Sequence, residues 1–183
     1  MLDSHQEQQL TGAGDTLLHY HLADRGPFPI PHGSFYDTTT QSIVSTTTAY
    51  PITLNTTVLS KGVSVASSSR ITVAAKGVYN LQFSCQLANS DVQSQDAEIW
   101  LAKNGSNVTE SSTIIDVPQS HGGGDGHAVA AWNSFIALNR NDYVELLWCA
   151  TSTLVSMPHR AAAVTPTRPS VPSVIVTRNL VSV

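Results

Sequence analysis

The chain has 183 residues, enough for one well-packed domain with a modest appendage and too few for two domains of ordinary size. Charged residues make up only 12%, about half the share in an average soluble domain, and the nine Lys and Arg are scattered within a net charge of −4. That balance gives no electrostatic basis for nucleic-acid binding, and no apolar run reaches membrane-spanning length. The first ten residues, MLDSHQEQQL, lack the basic and apolar regions of a signal peptide, so the chain reads as used without export. On that reading the glycosylation-type triplets at Asn55, Asn104 and Asn107 are chance matches in a Thr-rich chain.

Residues 1–36 stand apart. They hold four of the seven histidines, and Pro27, Pro29 and Pro31 at alternate positions favour an extended, polyproline-like run. The segment Asp15–Arg25 reads either as a short helix, capped by Asp15 and stopped by Gly26-Pro27, or as an extended piece that pairs with another subunit. We expect an arm that gains order against a neighbour.

From Ser34 the composition turns to strands. The Thr- and Tyr-rich stretch from Phe35 to Leu54 is expected to supply a first strand pair. Val63 and Val65, then Ile71 and Val73, mark two short strands before a turn at Gly77. In Gly77–Ala88, Tyr79, Leu81, Phe83, Cys85 and Leu87 alternate with Asn80, Gln82, Ser84 and Gln86, the period of a strand with one buried face. Ala97–Val108 contains Asn104-Gly105, whose tolerance of positive φ suits a tight hairpin. Ser111–Val117 is a further strand, His121–His127 a loop, and the run from His127 to Leu138 the next strand. Asn141-Asp142 opens a strand with Val144, Leu146 and Trp148 on one face, and three prolines delimit a last strand around Val174–Thr177. Residues 37–183 therefore read as an all-β sandwich of about eight to ten strands.

Four pieces carry a likeness: Gly-x-Tyr-x-Leu-x-Phe-Ser from Gly77, Ile-Trp-Leu-x-Lys-Asn-Gly from Ile99, Asn-Asp-Tyr-Val-Glu-Leu from Asn141, and Pro-Ser-Val-Ile-Val-Thr from Pro172. Their succession resembles the jelly-roll domain of complement-type and tumour-necrosis-factor-type trimers, in the version found in tailed-bacteriophage virion proteins. It covers Ser34 to Val183 and leaves the arm outside. The resemblance implies a jelly roll that binds and assembles and does not catalyse: a homotrimeric virion surface protein, made in the host cytoplasm. Such a protein would decorate and stabilise the capsid, docking on the major capsid protein through its arm. The alternative it implies is a tail or head fibre knob seated on a tail or portal adaptor and recognising the host surface, with a host glycan as ligand. Such fibres normally carry a repeated shaft, which this sequence lacks.

For attachment, Leu17, Leu18, Tyr20, Leu22, Arg25 and Phe28 form the arm's candidate set. His19 and His21 face one side if their segment is extended. Three such pairs on a threefold axis would offer an octahedral set of nitrogens to a transition metal. On a helix the two diverge, and nothing else in the sequence indicates a cofactor. His121, Asp125 and His127 lie in the loop HGGGDGH, which lacks the Lys-Ser/Thr of a phosphate cradle and reads as plain surface. With no Gly-x-Ser-x-Gly elbow and no paired carboxylates, no catalytic residue is expected. Cys85 and Cys149 are expected to be small buried hydrophobes, both reduced. Trp148 is assigned to the core, and Trp100 and Trp132 to either core or subunit contact.

Overall fold

Strands account for the regular structure of residues 30–182, the part of the chain that the computed structural model describes. They are β1 (His32–Asp37), β2 (Gln41–Ser42), β3 (Tyr50–Pro51), β4 (Thr56–Lys61), β5 (Val63–Ala66), β6 (Arg70–Val73), β7 (Gly77–Asn89) and β8 (Gln95–Lys103). There follow β9 (Ser106–Asn107), β10 (Thr113–Val117), β11 (Gly126–Leu138), β12 (Tyr143–Ala150), β13 (Val155–Met157), β14 (Ala163–Val164), β15 (Thr167–Arg168) and β16 (Val174–Ser182).

Two antiparallel sheets pack face to face. In the first, the order is β11-β7-β16-β1-β4, with β13 taking the C-terminal end of β7 beside β16 and carrying β2. The second runs β10-β8-β12-β6-β5, with β3 added to β12 and β9 to β8. The long alternation of β7 explains its central place. Tyr79, Leu81, Phe83, Cys85 and Leu87 are all buried, and so are Ile99, Leu101, Val144, Leu146 and Trp148 from the second sheet. Trp132 on β11 closes one side of this core by meeting Phe83 edge-on, with ring centroids 4.3 Å apart.

Two turns lock together at one end. Asn104 (φ 51°) and Gly105 (φ 83°) make the expected hairpin between β8 and β9. The Asn104 side-chain oxygen accepts from the Tyr143 N–H at 2.9 Å, and its amide donates to Asp142 at 2.8 Å. Asp142 also accepts from the Asn139 N–H at 2.8 Å and lies 3.2 Å from Lys103 Nζ. The Asn139 N–H first, then the Asn104 amide and Lys103, hold the Asp142 carboxyl below the usual carboxylate range.

The structure departs from the sequence reading in three places. Residues 32–36, taken for the end of the arm, are strand: β1 lies between β16 and β4 and buries Phe35 and Asp37. Its inward positions include Gly33 and Asp37, so it shows no apolar alternation. The stretch after it forms no strand pair of its own, only the two-residue pieces β2 and β3 within a loop. That loop is held by polar side chains. Asp37 accepts from the Thr39 N–H at 2.7 Å and the Thr53 hydroxyl at 3.0 Å, and Gln41 exchanges two hydrogen bonds with the Thr53 backbone at 2.8 and 3.2 Å. Cys149, expected in the core, faces outward, because it alternates with the buried Trp148.

Candidate functional site

The outer face of the first sheet is the most unusual surface of the molecule. Its cross-strand rows run Ala131–Ser84–Ile175–Tyr36, Asn133–Gln82–Thr177–Ser34–Leu59 and Phe135–Asn80–Asn179–His32. No Asp, Glu, Lys or Arg of β1, β7, β11 or β16 points outward here, because Asp37 and Arg178 both face the core. Large apolar side chains do point outward: Phe135 is 62% exposed, Val129 60% and Ile175 43%. A shallow hollow of about 240 Å³ lies between β7 and β16 over Ser84, Ile175 and Thr177. At the side of this face β11 pairs only with β7, leaving a 13-residue edge without a partner among the described residues. Long uncharged edges template further strand pairing unless something covers them.

The outer face of the second sheet is acidic instead. Asp96 and Asp116 stand directly opposite each other on β8 and β10, with Glu98 two residues along. Further along the face, Glu145 on β12, opposite Ala102, is 3.6 Å from Arg70 and accepts from the Ser69 hydroxyl at 2.7 Å. Arg70 in turn lies over the Tyr143 ring, 4.7 Å from its centroid.

The sites named from sequence fall out as follows. His19, His21, Leu17, Leu18, Tyr20, Leu22, Arg25 and Phe28 lie outside the described residues. In the HGGGDGH loop, the His121 backbone exchanges hydrogen bonds of 2.9 and 3.0 Å with Gly124, which tightens the turn. His127 is turned away to Arg160, with Nε2 2.7 Å from the guanidinium, at the rim of a pocket of about 240 Å³ floored by Gln86. No group of three His, Cys, Asp or Glu is placed to hold a metal among the described residues. Cys85 and Cys149 are unbonded, one facing the core and one the outside of the other sheet. Burial pushes the Cys85 thiol up to about 12; burial, then Glu98, also raises that of Cys149. Of the tryptophans, Trp148 is core as assigned, Trp132 is half-buried against the core, and Trp100 is on the outer face of the second sheet.

Sequence reasoning missed Arg178. Only 1% of it is exposed, and none of its three guanidinium nitrogens has a hydrogen-bond partner among the described residues. It stands opposite Gly33 on β1 and over the Tyr79 ring at 5.3 Å. Burial pushes its pKa down to about 10. Arg178 shares the inward parity of Val174 and Val176, but a charge after this apolar run reads as the end of the strand.

No protein-family model matches this chain, and no curated protein matches it.

Proposed function

We propose that this chain is a jelly-roll virion protein that assembles as a homotrimer and decorates the capsid, with its N-terminal arm docking on the major capsid protein. The strand order supports the jelly-roll part. With the edge strands β4 and β5 and the two- and three-residue pieces set aside, eight strands remain in chain order: β1, β6, β7, β8, β10, β11, β12 and β16. One sheet orders them sixth, third, eighth, first; the other orders them fifth, fourth, seventh, second. A doubled Greek key would give these two orders, and that agreement is the support for this part of the reading.

The observation that carries assembly is the uncharged outer face of β11, β7, β16 and β1, with its open β11 edge. Closed threefold symmetry covers such a face on every copy without open-ended growth. The virion setting rests on the resemblance of the four strand pieces. A fibre knob is the second reading, and one feature favours it: the trough at Trp100 on the acidic face, opposite the face assigned to the trimer.

Native mass spectrometry of the purified chain at micromolar concentration is expected to report three copies, and cryo-electron microscopy of particles is expected to place hundreds on the capsid. A handful at the tail would replace decoration by the knob, and a stable monomer would remove the assembly reading.

A further inference from the structure

The ladder of the second sheet is broken along the outer side of β8. Beside β8, β10 pairs only as far as Ile99 and β9 begins at Ala102, so Trp100 and Leu101 have the loop 108–112 for a neighbour. That loop is moored. Val108 N–H donates to Leu101 O at 2.8 Å, and Ser111 Oγ accepts from the Leu101 N–H at 3.0 Å while donating to Val108 O at 2.8 Å. The result is a trough of about 400 Å³ over Trp100, within the size range of small-molecule sites. The indole is fixed, because its Nε1–H donates to Asn107 Oδ1 at 3.0 Å. Among the described residues, that bond leaves the Asn107 amide hydrogens without a partner. At the rim stand the carboxylates of Glu98 and Glu110, neither of which has a hydrogen bond or an ion pair among the described residues, together with the Ser112 hydroxyl.

We infer that this trough binds a saccharide without negative charge, neutral or amine-bearing, with Trp100 as its stacking platform. A sugar ring has one face rich in C–H groups, which packs on an indole, and a rim of hydroxyls that donate well to carboxylates and accept from amide N–H groups. The trough presents those complements on a rigid frame, so little ordering opposes binding. Two unpaired carboxylates, with Asp96 and Asp116 on the same face, repel sialic, uronic or sulfated sugars. The inference rests on this geometry alone and stands whether the protein sits on a capsid or a tail.

The test is an array of neutral, amine-bearing and sialylated oligosaccharides probed with the full chain, followed by titration of the strongest binder. Binding confined to glycans without negative charge is expected. Trp100→Ala should weaken it at least tenfold, and Trp100→Phe should retain most of it. Glu98→Gln with Glu110→Gln should weaken it several-fold without altering the fold seen by circular dichroism, and carries the test should Trp100→Ala fail to fold. No retained glycan, a preference for sialylated ones, or binding indifferent to both variants would overturn the inference. A basic protein captured through the same residues would assign the trough to a cationic partner and equally overturn it. None of these outcomes alters the native mass, so assembly is judged separately.

Discussion

Arg178 is the residue whose environment is hardest to reconcile with stability. A guanidinium has five N–H donors and keeps its charge, so placing it in a core without acceptors costs several kcal/mol. The Tyr79 ring returns about 0.5–2 kcal/mol, so desolvation wins. Arg178→Met keeps the length of the side chain and removes the charge; we expect it to raise stability by about 1–3 kcal/mol in urea unfolding of the full chain. A loss of that size would mean that residues 1–29 or a second copy supply an acceptor. The pH dependence has a definite sign. Burial lowers the folded pKa to about 10, so the unfolded state holds its proton to higher pH, and the penalty relaxes only as pH rises above that value. Between pH 5 and 9 it stays constant. Large alternating side chains such as Tyr79, Leu81 and Trp148 declared their burial in the sequence. Arg178 did not, because a charge at the end of an apolar run reads as the end of the strand.

At the scale of elements, β11 is the strand that most needs a partner. The opposite edge of its sheet carries Lys61, the second sheet has Asp116 at one edge, and its other edge, β5, is only four residues long. Those are familiar protections, and β11 has only Lys103, whose Nζ donates to the Ala137 carbonyl near one end of the strand at 2.9 Å. A lysine placed at Phe135 is repeated on every copy of a symmetric trimer, and like charges brought together in an interface cost several kcal/mol. Phe135→Lys, alone or with Val129→Lys, is therefore expected to yield monomers in size-exclusion chromatography with light scattering. The thermal unfolding of the isolated fold should shift little, since both side chains are exposed. Retention of the wild-type mass would place the contact elsewhere. Elements were legible wherever one face was apolar and the other polar, as in β7 and β12, and at the Asn104-Gly105 hairpin. The loop from Thr38 to Asn55 was not, because the hydrogen bonds of Asp37, Gln41 and Thr53 that hold it leave no periodic trace.

For the whole molecule, the low charge noted at the outset turns out to be unevenly spent. One sheet exterior carries none of it across four strands, while the other gathers Asp96, Glu98 and Asp116 beside the Arg70–Glu145 pair. A sandwich with four uncharged strands on one exterior and an acidic patch on the other has an orientation: the uncharged strands suit dry contact with a copy, and the acidic side suits water. The two-sheet all-β class was readable from composition and strand spacing. Which strands share a sheet was not, because β1 meets β16 across almost the whole chain and no local pattern encodes that pairing. The partition of charge between exteriors was hidden for the same reason. It appears only once the register is known.

The opposed placement of the two cysteines makes the protein its own clock for breathing motions. At pH 8 a thiol with a pKa of about 12 is thiolate for only on the order of one part in 10⁴, and the thiolate is the reactive species. Cys85 should therefore stay silent to an alkylating reagent until the sheets part and expose it, whereas Cys149 reacts from the closed state. Timed labelling read by intact mass is expected to show one adduct early and the second after a long delay. That delay measures the free energy of opening, without denaturant. Two adducts arriving together would mean that the closed state does not shield Cys85.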